Sequence, residues 1–434
     1  MNILIIENTW MGDTGYGFFD KLLLNTFTIL PTLYARKIAA ITPKIHTVKI
    51  INERNKLIDF SKKYDLVNIN YTTSTAKRAY EIAEEFRKKG ITVVLSGVHA
   101  SLMPEEAKKH ADSVLLGWGE LNWLDLLNDY GENKLKQEYK HKKYDENTKI
   151  PPINIKLPAF VISGAIEATR GCPYKCDFCP ETHITEGSQF YKRPVHEVID
   201  EIKNLPQKFF TFYDNSMTID PKYVKELFRN MIGLNKKFSC NGNADVLAND
   251  IELVKLSKKA GCTSWLIGFE SFSQQTLNDV NKITNRVDEF KKAVKNIHDN
   301  KMIVVGDFIF GFDSDKNEVF DETLTLIKKL GIDAADFNIL TPLPGTPIYY
   351  KLEKENRILT KDWSKYTLKN PVFKPKNMTY EELILGVRKM YNEYYSSPNN
   401  IKRIFKSIRL GLLPFLLVSQ RTFTAAMSHR KLFF

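Results

Sequence analysis

From residue 159 to about residue 350 the chain alternates six times between a short apolar run and a helix-like run. The strand-like runs are FVISGAIEATRG, FFTFYD, FSCNGN, SWLIGFE, IVVGDFIFG and DFNILTP. Between them lie VHEVIDEIKNL, KYVKELFRNMIGL, IELVKLSKKAG, DEFKKAVKNIHDN and EVFDETLTLIKKLG. Strands joined this way pair in parallel, because each helix returns the chain to the same end of the sheet. Six units fall short of the eight that close a barrel. A partial, TIM-like (β/α)6 barrel is therefore expected over residues 159–350, with its functional groups at the C-terminal ends of the strands.

A second alternation precedes it, in residues 1–130. MNILIIE, TVKIIN, DLVNINY, ITVVLSG and SVLLGWG read as strands, and STAKRAYEIAEEFRKKG as a helix with Gly90 as a C-cap candidate. This predicts a doubly wound, Rossmann-like α/β domain whose ligands bind beyond the carboxyl ends of the strands. Those ends read TTST (72–75), SGVHAS (96–101) and GWGE (117–120), small enough for a bulky ligand to approach the backbone. The charged, then Pro-punctuated residues 131–158 are expected to be a linker.

Residues 351–434 form a C-terminal extension. MTYEELILGVRKMYNEYY reads as a helix, and the segment from Ile401 onward carries seven Lys/Arg and no Asp/Glu. Ile401, Ile404, Phe405 and Ile408 share one helical face, with Lys402, Arg403, Lys406 and Arg409 away from it. Such a helix either lies on an anionic membrane or docks against the open side of the barrel.

The net charge of +12 admits phosphate, nucleic acid or anionic membrane as partners. Much of the lysine, however, sits beside glutamate on solvated helix faces. The opening MNILIIENTW reads as a buried strand and not as an export signal, so the cytoplasm, where thiols stay reduced, is the expected compartment.

Three of the five cysteines, Cys172, Cys176 and Cys179, fall in TRGCPYKCDFCPE, spaced C-x3-C-x2-C just after a strand. Three thiolates on one loop suit a soft metal centre. A closed zinc site needs four ligands, and no local fourth Cys or His completes one. Three ligands suit a four-iron cluster with one iron left open. Cys240 and Cys262 read as buried thiols.

This loop, with aromatic Phe178 before its last cysteine, resembles the signature of the radical S-adenosylmethionine (radical SAM) superfamily. The resemblance implies that Cys172, Cys176 and Cys179 hold a 4Fe-4S cluster whose open iron binds S-adenosylmethionine (SAM). Four further stretches support it. FYDNSMTID stands where the superfamily binds the SAM amino group, with Asp214 and Asn215 replacing the usual Gly-Gly-Glu. GFESFSQQTLNDVNK resembles the G-x-E-S segment, placing Glu270 and Ser271 by the SAM carboxylate or ribose. VVGDFIFGFDSD, with Asp307, resembles the motif beside the adenine, and TPLPGTPIYYKL the sixth-strand ending.

A doubly wound domain ahead of such a barrel is similar to the cobalamin-binding subfamily. SGVHASLMPEEAKKHADSVLLGWGE resembles the segment those proteins carry, which implies a cobalamin floor of Thr72, Ser74, Gly97, Val98, His99, Gly117, Gly119 and Glu120. The D-x-H-x-x-G motif that supplies an axial histidine is absent; GDTGYG (12–17) holds glycines but no histidine.

The expected activity is reductive cleavage of SAM to modify an unactivated carbon by methylation, C–C bond formation or cyclisation. The tail resembles the hopanoid- and archaeal-lipid-modifying branch, implying an apolar isoprenoid or lipid substrate and peripheral membrane contact. An electron donor such as ferredoxin or flavodoxin is implied. The alternatives are a methyltransferase or methylthiotransferase acting on peptide, natural product or RNA, and a metal-stabilised nucleic-acid-binding protein. Residues 1–150 lack the three further cysteines of the methylthiotransferases, and no RNA-binding signature appears.

Overall fold

The computed structural model describes residues 1–8, 33–53, 56–140, 163–184, 187–408 and 418. GDTGYG, residues 141–162 and all but Val418 of residues 409–434 lie outside the described residues, and so do the expectations for those segments.

β1 (Asn2–Asn8) organises the first sheet. Its Ile3, Leu4, Ile5 and Ile6 are all fully buried, as a strand covered on both faces requires. Around it lie β2 (Thr47–Asn52), β3 (Leu66–Tyr71), β4 (Thr92–Ser96), β5 (Ser113–Leu115) and β6 (Glu138–Tyr139), in the order β2-β1-β3-β4-β5-β6. Every pairing is parallel. The strand order reverses at β1, so the crevice beyond the carboxyl ends of β1 and β3 is the natural ligand position. β6 corrects the sequence reading: it lies inside the stretch expected to be linker and adds an edge strand beside β5.

The second sheet contains β7 (Ser163–Ile166), β10 (Phe209–Phe212), β11 (Lys237–Asn241), β12 (Cys262–Glu270), β13 (Ile303–Phe310) and β14 (Ala334–Ile339), paired in chain order and all in parallel. Among the described residues β7 and β14 do not pair with each other, and the sheet is open there. A separate hairpin pairs β8 (Thr169–Arg170) with β9 (Tyr191–Lys192). All five expected barrel helices are present. Gly261 and Gly331 end two of them in the left-handed conformation.

The C-terminal extension covers the exposed edge of β14. Helix Tyr380–Tyr394 and the residue after it present tyrosine hydroxyls to the strand's backbone. Phe337 N–H donates to the Tyr391 hydroxyl (3.1 Å) and Ala335 N–H to that of Tyr395 (3.2 Å). The Tyr395 hydroxyl donates back to the Ala335 carbonyl at 2.7 Å. Edge groups that would otherwise invite another chain are thereby satisfied. The extension also reaches the first sheet, where Trp363 Nε1 donates to both carboxylate oxygens of Glu106 (2.9 and 3.2 Å).

In helix Ser397–Ile408, Ile401, Phe405 and Ile408 are exposed while Ile404 packs against Ile303 and Val418. No helix among the described residues is long and apolar enough to cross a membrane.

Candidate active site between the two sheets

The cysteine loop is closed at its base by the β8–β9 hairpin, which pairs Thr169 with Lys192 and Arg170 with Tyr191. Cys172 N–H donates to the Gly187 carbonyl at 2.8 Å, and Cys179 N–H to the Cys176 carbonyl at 3.1 Å. Gly171 is required here: its φ is +77°, and a Cβ would lie 1.7 Å from the Gln189 carbonyl oxygen. All three thiols are free; Cys176 is buried and the other two half-buried. Burial pushes Cys176 and Cys179 up to about 11 and raises Cys172 as well.

Thiols disfavoured as bare anions become thiolates when a metal takes the proton's place, so this donor set fits a cationic centre. Among the described residues no three His, Cys, Asp or Glu side chains converge to hold one metal ion. A four-iron cluster asks for a wider spread, because each cysteine binds a different iron.

Lys282 stands behind this loop. Its Nζ donates to Glu270 Oε1 at 2.9 Å and lies 6.0 Å from the centre of the Phe178 ring. Burial alone would lower the lysine, but the charges of Glu270 and Cys176 outweigh it and hold it above its usual value. Glu270 ends β12 at a register shift with φ +62°, a left-handed conformation unusual for a non-glycine residue, and Ser271 follows it in a buried turn.

Asp214 follows β10 and is almost fully buried. Its carboxylate accepts from the N–H of Ala168 (3.2 Å), from Thr169 N–H and from the Thr169 hydroxyl (2.6 Å). Burial pushes it up to about 7, against the pull of the Thr169 hydroxyl. It therefore fixes the backbone entering the cysteine loop and is not presented to a ligand. Its neighbour Asn215 does face the cavity. Asp307 lies within β13, not at its end, in register with Asp336 of β14.

A cavity of about 280 Å³ lies between the carboxyl ends of the two sheets. Thr72, Gly97, Val98, Gly117 and Glu120 form one wall, and Glu167, Thr169, Arg170 and Asn215 the other. Gly97 has φ +109°, and a Cβ there would lie 2.4 Å from the Tyr71 carbonyl oxygen. This bare floor is the feature that fits a broad, flat ligand.

Three residues expected in that floor do not reach it. Ser74 sits in the turn Thr73–Thr75, and Gly119 packs beneath Tyr34. His99 is fully buried, with Nδ1 3.1 Å from the Thr73 hydroxyl and Nε2 3.5 Å from Glu106. Side chains, not backbone, satisfy its ring, and it does not line the cavity.

The cavity also holds three charges that local sequence does not single out, Lys37, Glu167 and Arg170, and they engage the expected Glu120. Lys37, on helix Leu33–Ile41, pairs with Glu167; Glu167 pairs with Arg170 (2.8 Å); Arg170 pairs with Glu120. The indole of Trp118 lies 4.9 Å from the Arg170 guanidinium. All four charged side chains are largely buried. The only hint in the sequence is that EATR places two charges where the first barrel strand runs out.

The family model for the radical SAM superfamily matches residues 166–327. Bacteriochlorophyllide d C-12(1)-methyltransferase of Chlorobaculum tepidum is 32% identical over 386 residues, covering 85% of this chain and 83% of the relative. Two solved structures share the fold at 14% identity. The radical SAM methyltransferase TsrM from Kitasatospora setae, with cobalamin and a 4Fe-4S cluster bound, aligns with a TM-score of 0.66, covering 82% of this chain and 75% of that one. The cobalamin-dependent S-adenosylmethionine radical enzyme OxsB, with aqua-cobalamin and SAM bound, aligns with a TM-score of 0.67, covering 99% and 72%.

Proposed function

This chain belongs to the radical SAM superfamily, and from that premise we propose that it is a cobalamin-dependent methyltransferase acting on an unactivated carbon of an apolar small molecule. One observation carries the reading: a single cavity takes one wall from the small-residue ends of β3, β4 and β5 and the other from the strand ends that lead into the cysteine loop. Two cofactors that must exchange a methyl group and a radical with one substrate need such a shared space.

In this reading Cys172, Cys176 and Cys179 hold the cluster. Asn215, Glu270, Ser271 and Asp307 surround SAM, with Phe178 beside the cluster. Thr72, Gly97, Val98, Gly117 and Glu120 would support cobalamin. When bound, the cluster and SAM supply a one-electron route to a carbon radical, and cobalamin supplies the methyl group placed on it.

The chain's own residues do the positioning. Asp214 fixes the backbone before the cysteine loop. The chain of Lys37, Glu167, Arg170 and Glu120 joins the two walls. The partial burial of the cysteine loop limits water at the reacting centre.

Residues 1–130, with β6 added, are then the cobalamin half, residues 159–350 the radical half, and residues 351–434 the extension, whose Trp363 and Tyr391 reach one half each. An apolar substrate suits the exposed Ile401, Phe405 and Ile408, which would rest on a membrane beside Lys402. Electrons would come from a donor of the ferredoxin or flavodoxin type.

The test uses anaerobically reconstituted protein with cobalamin, a strong reductant, SAM labelled in its methyl group and fractionated apolar extracts. The expected result is a product carrying the label, with 5′-deoxyadenosine and S-adenosylhomocysteine formed in equal amounts. Formation of 5′-deoxyadenosine in step with substrate loss, with no label transferred, would replace methylation by another radical reaction.

A further inference from the structure

Lys282 is a largely buried ammonium set against the cysteine loop by contacts independent of its own charge. Asp177 N–H, between Cys176 and Phe178, donates to the Val280 carbonyl at 3.0 Å. Asn281 Nδ2 donates to Asp177 Oδ1 at 2.8 Å. Two hydrogen bonds thus fix residues 280–281 to the turn that carries Cys176 and Cys179, and Lys282 follows at once in sequence. Its Nζ is oriented by Glu270 at 2.9 Å and faces Phe178.

We propose that Lys282 is a positioning residue for electron entry: its fixed ammonium raises the reduction potential of the cluster held by Cys172, Cys176 and Cys179, and Glu270 sets how far. The inference rests on the assignment of a cluster to that loop. The physical basis is Coulombic. Reduction adds one negative charge to the centre, and a fixed cation in a dry setting stabilises the reduced form more than the oxidised one. The electron comes from an external low-potential donor, such as dithionite or a reduced ferredoxin. Lys282 keeps its proton throughout, and no bond to it forms or breaks.

The experiment is a potentiometric titration of the anaerobically reconstituted full-length protein without SAM, followed by electron paramagnetic resonance. Lys282→Met is expected to lower the ratio of reduced to oxidised cluster at a fixed potential by about tenfold or more, which is about 59 mV per tenfold for one electron. Lys282→Arg should stay within about threefold of the parent, because it restores the charge. Glu270→Gln should shift the ratio the other way. An unchanged ratio in Lys282→Met, at full iron content, would overturn the inference. Should Lys282→Met lose its iron, Glu270→Gln decides: a raised ratio supports the inference and an unchanged one overturns it. A parent protein that takes up no iron–sulfur cluster would instead refute the cluster assignment, and the inference with it.

Discussion

Lys37 and Glu167, 130 positions apart, form a buried ion pair that ties a helix of the first sheet to the end of the first barrel strand. Arg170 and Glu120 extend the pair across the same gap. The two walls of the cavity are therefore held by charges that have given up water for one another.

Removing one member should be costly. Glu167→Gln would leave Lys37 and Arg170 sharing the remaining carboxylate, and breaking a buried pair costs about 3–5 kcal/mol. Urea unfolding of the parent and the variant measures it. The pH dependence follows from the same pair. Burial alone would raise Glu167, but Arg170 and Lys37 outweigh it and hold the carboxyl down to about 2, against a usual 4.5. Its folded value lies below its unfolded one, so its contribution is complete above about 4.5 and is lost as pH falls toward 2. Glu167→Gln should flatten that part of the acid-stability curve.

Gly97→Ala places a Cβ 2.4 Å from the Tyr71 carbonyl oxygen in a backbone conformation with φ +109°. Backbone on both sides must move, at a cost of about 1–3 kcal/mol. A lowered urea midpoint together with weaker cobalamin retention in gel filtration is the expected outcome. Unchanged retention would show that Gly97 does not support the corrin.

Trp363→Phe tests the clamp. The ring is largely kept, but Glu106 loses the indole donor that now reaches both of its oxygens. A loss of about 1–2 kcal/mol is expected by denaturant titration.

How much of this was legible in sequence depends on the distance over which the signal acts. Strands β1 to β5 and all six barrel strands follow from apolar runs of 3 to 9 residues repeating along the chain. β6 is not legible, because two residues, Glu138 and Tyr139, carry no pattern inside a charged stretch. The cysteine loop was legible because its chemistry is written in local spacing. The charged network was not, because Lys37, Glu167 and Arg170 each look like surface residues until the fold gathers them around Glu120. His99 and Asp214 read as ligand-facing from their loop positions, whereas Thr73 and Glu106, and Ala168 and Thr169, already engage them. Lys282 closes the stretch GFESFSQQTLNDVNK, where one lysine in a polar run gives no sign of being buried.

The exposed apolar face of helix Ser397–Ile408 gives a test of membrane contact. The double variant Ile401→Ser, Phe405→Ser should cut co-sedimentation with anionic vesicles severalfold, while leaving 5′-deoxyadenosine formation without vesicles unchanged. Equal co-sedimentation of parent and variant would remove the membrane from the account.

The central claim is that the loop 172–179 supports reductive cleavage of SAM. The most direct measurement is mass-spectrometric detection of 5′-deoxyadenosine from the anaerobically reconstituted protein given SAM and a strong reductant, beside Cys176→Ala. Product is expected from the parent and none from the variant. Equal product from both, or a parent that neither binds iron nor forms product, would contradict it.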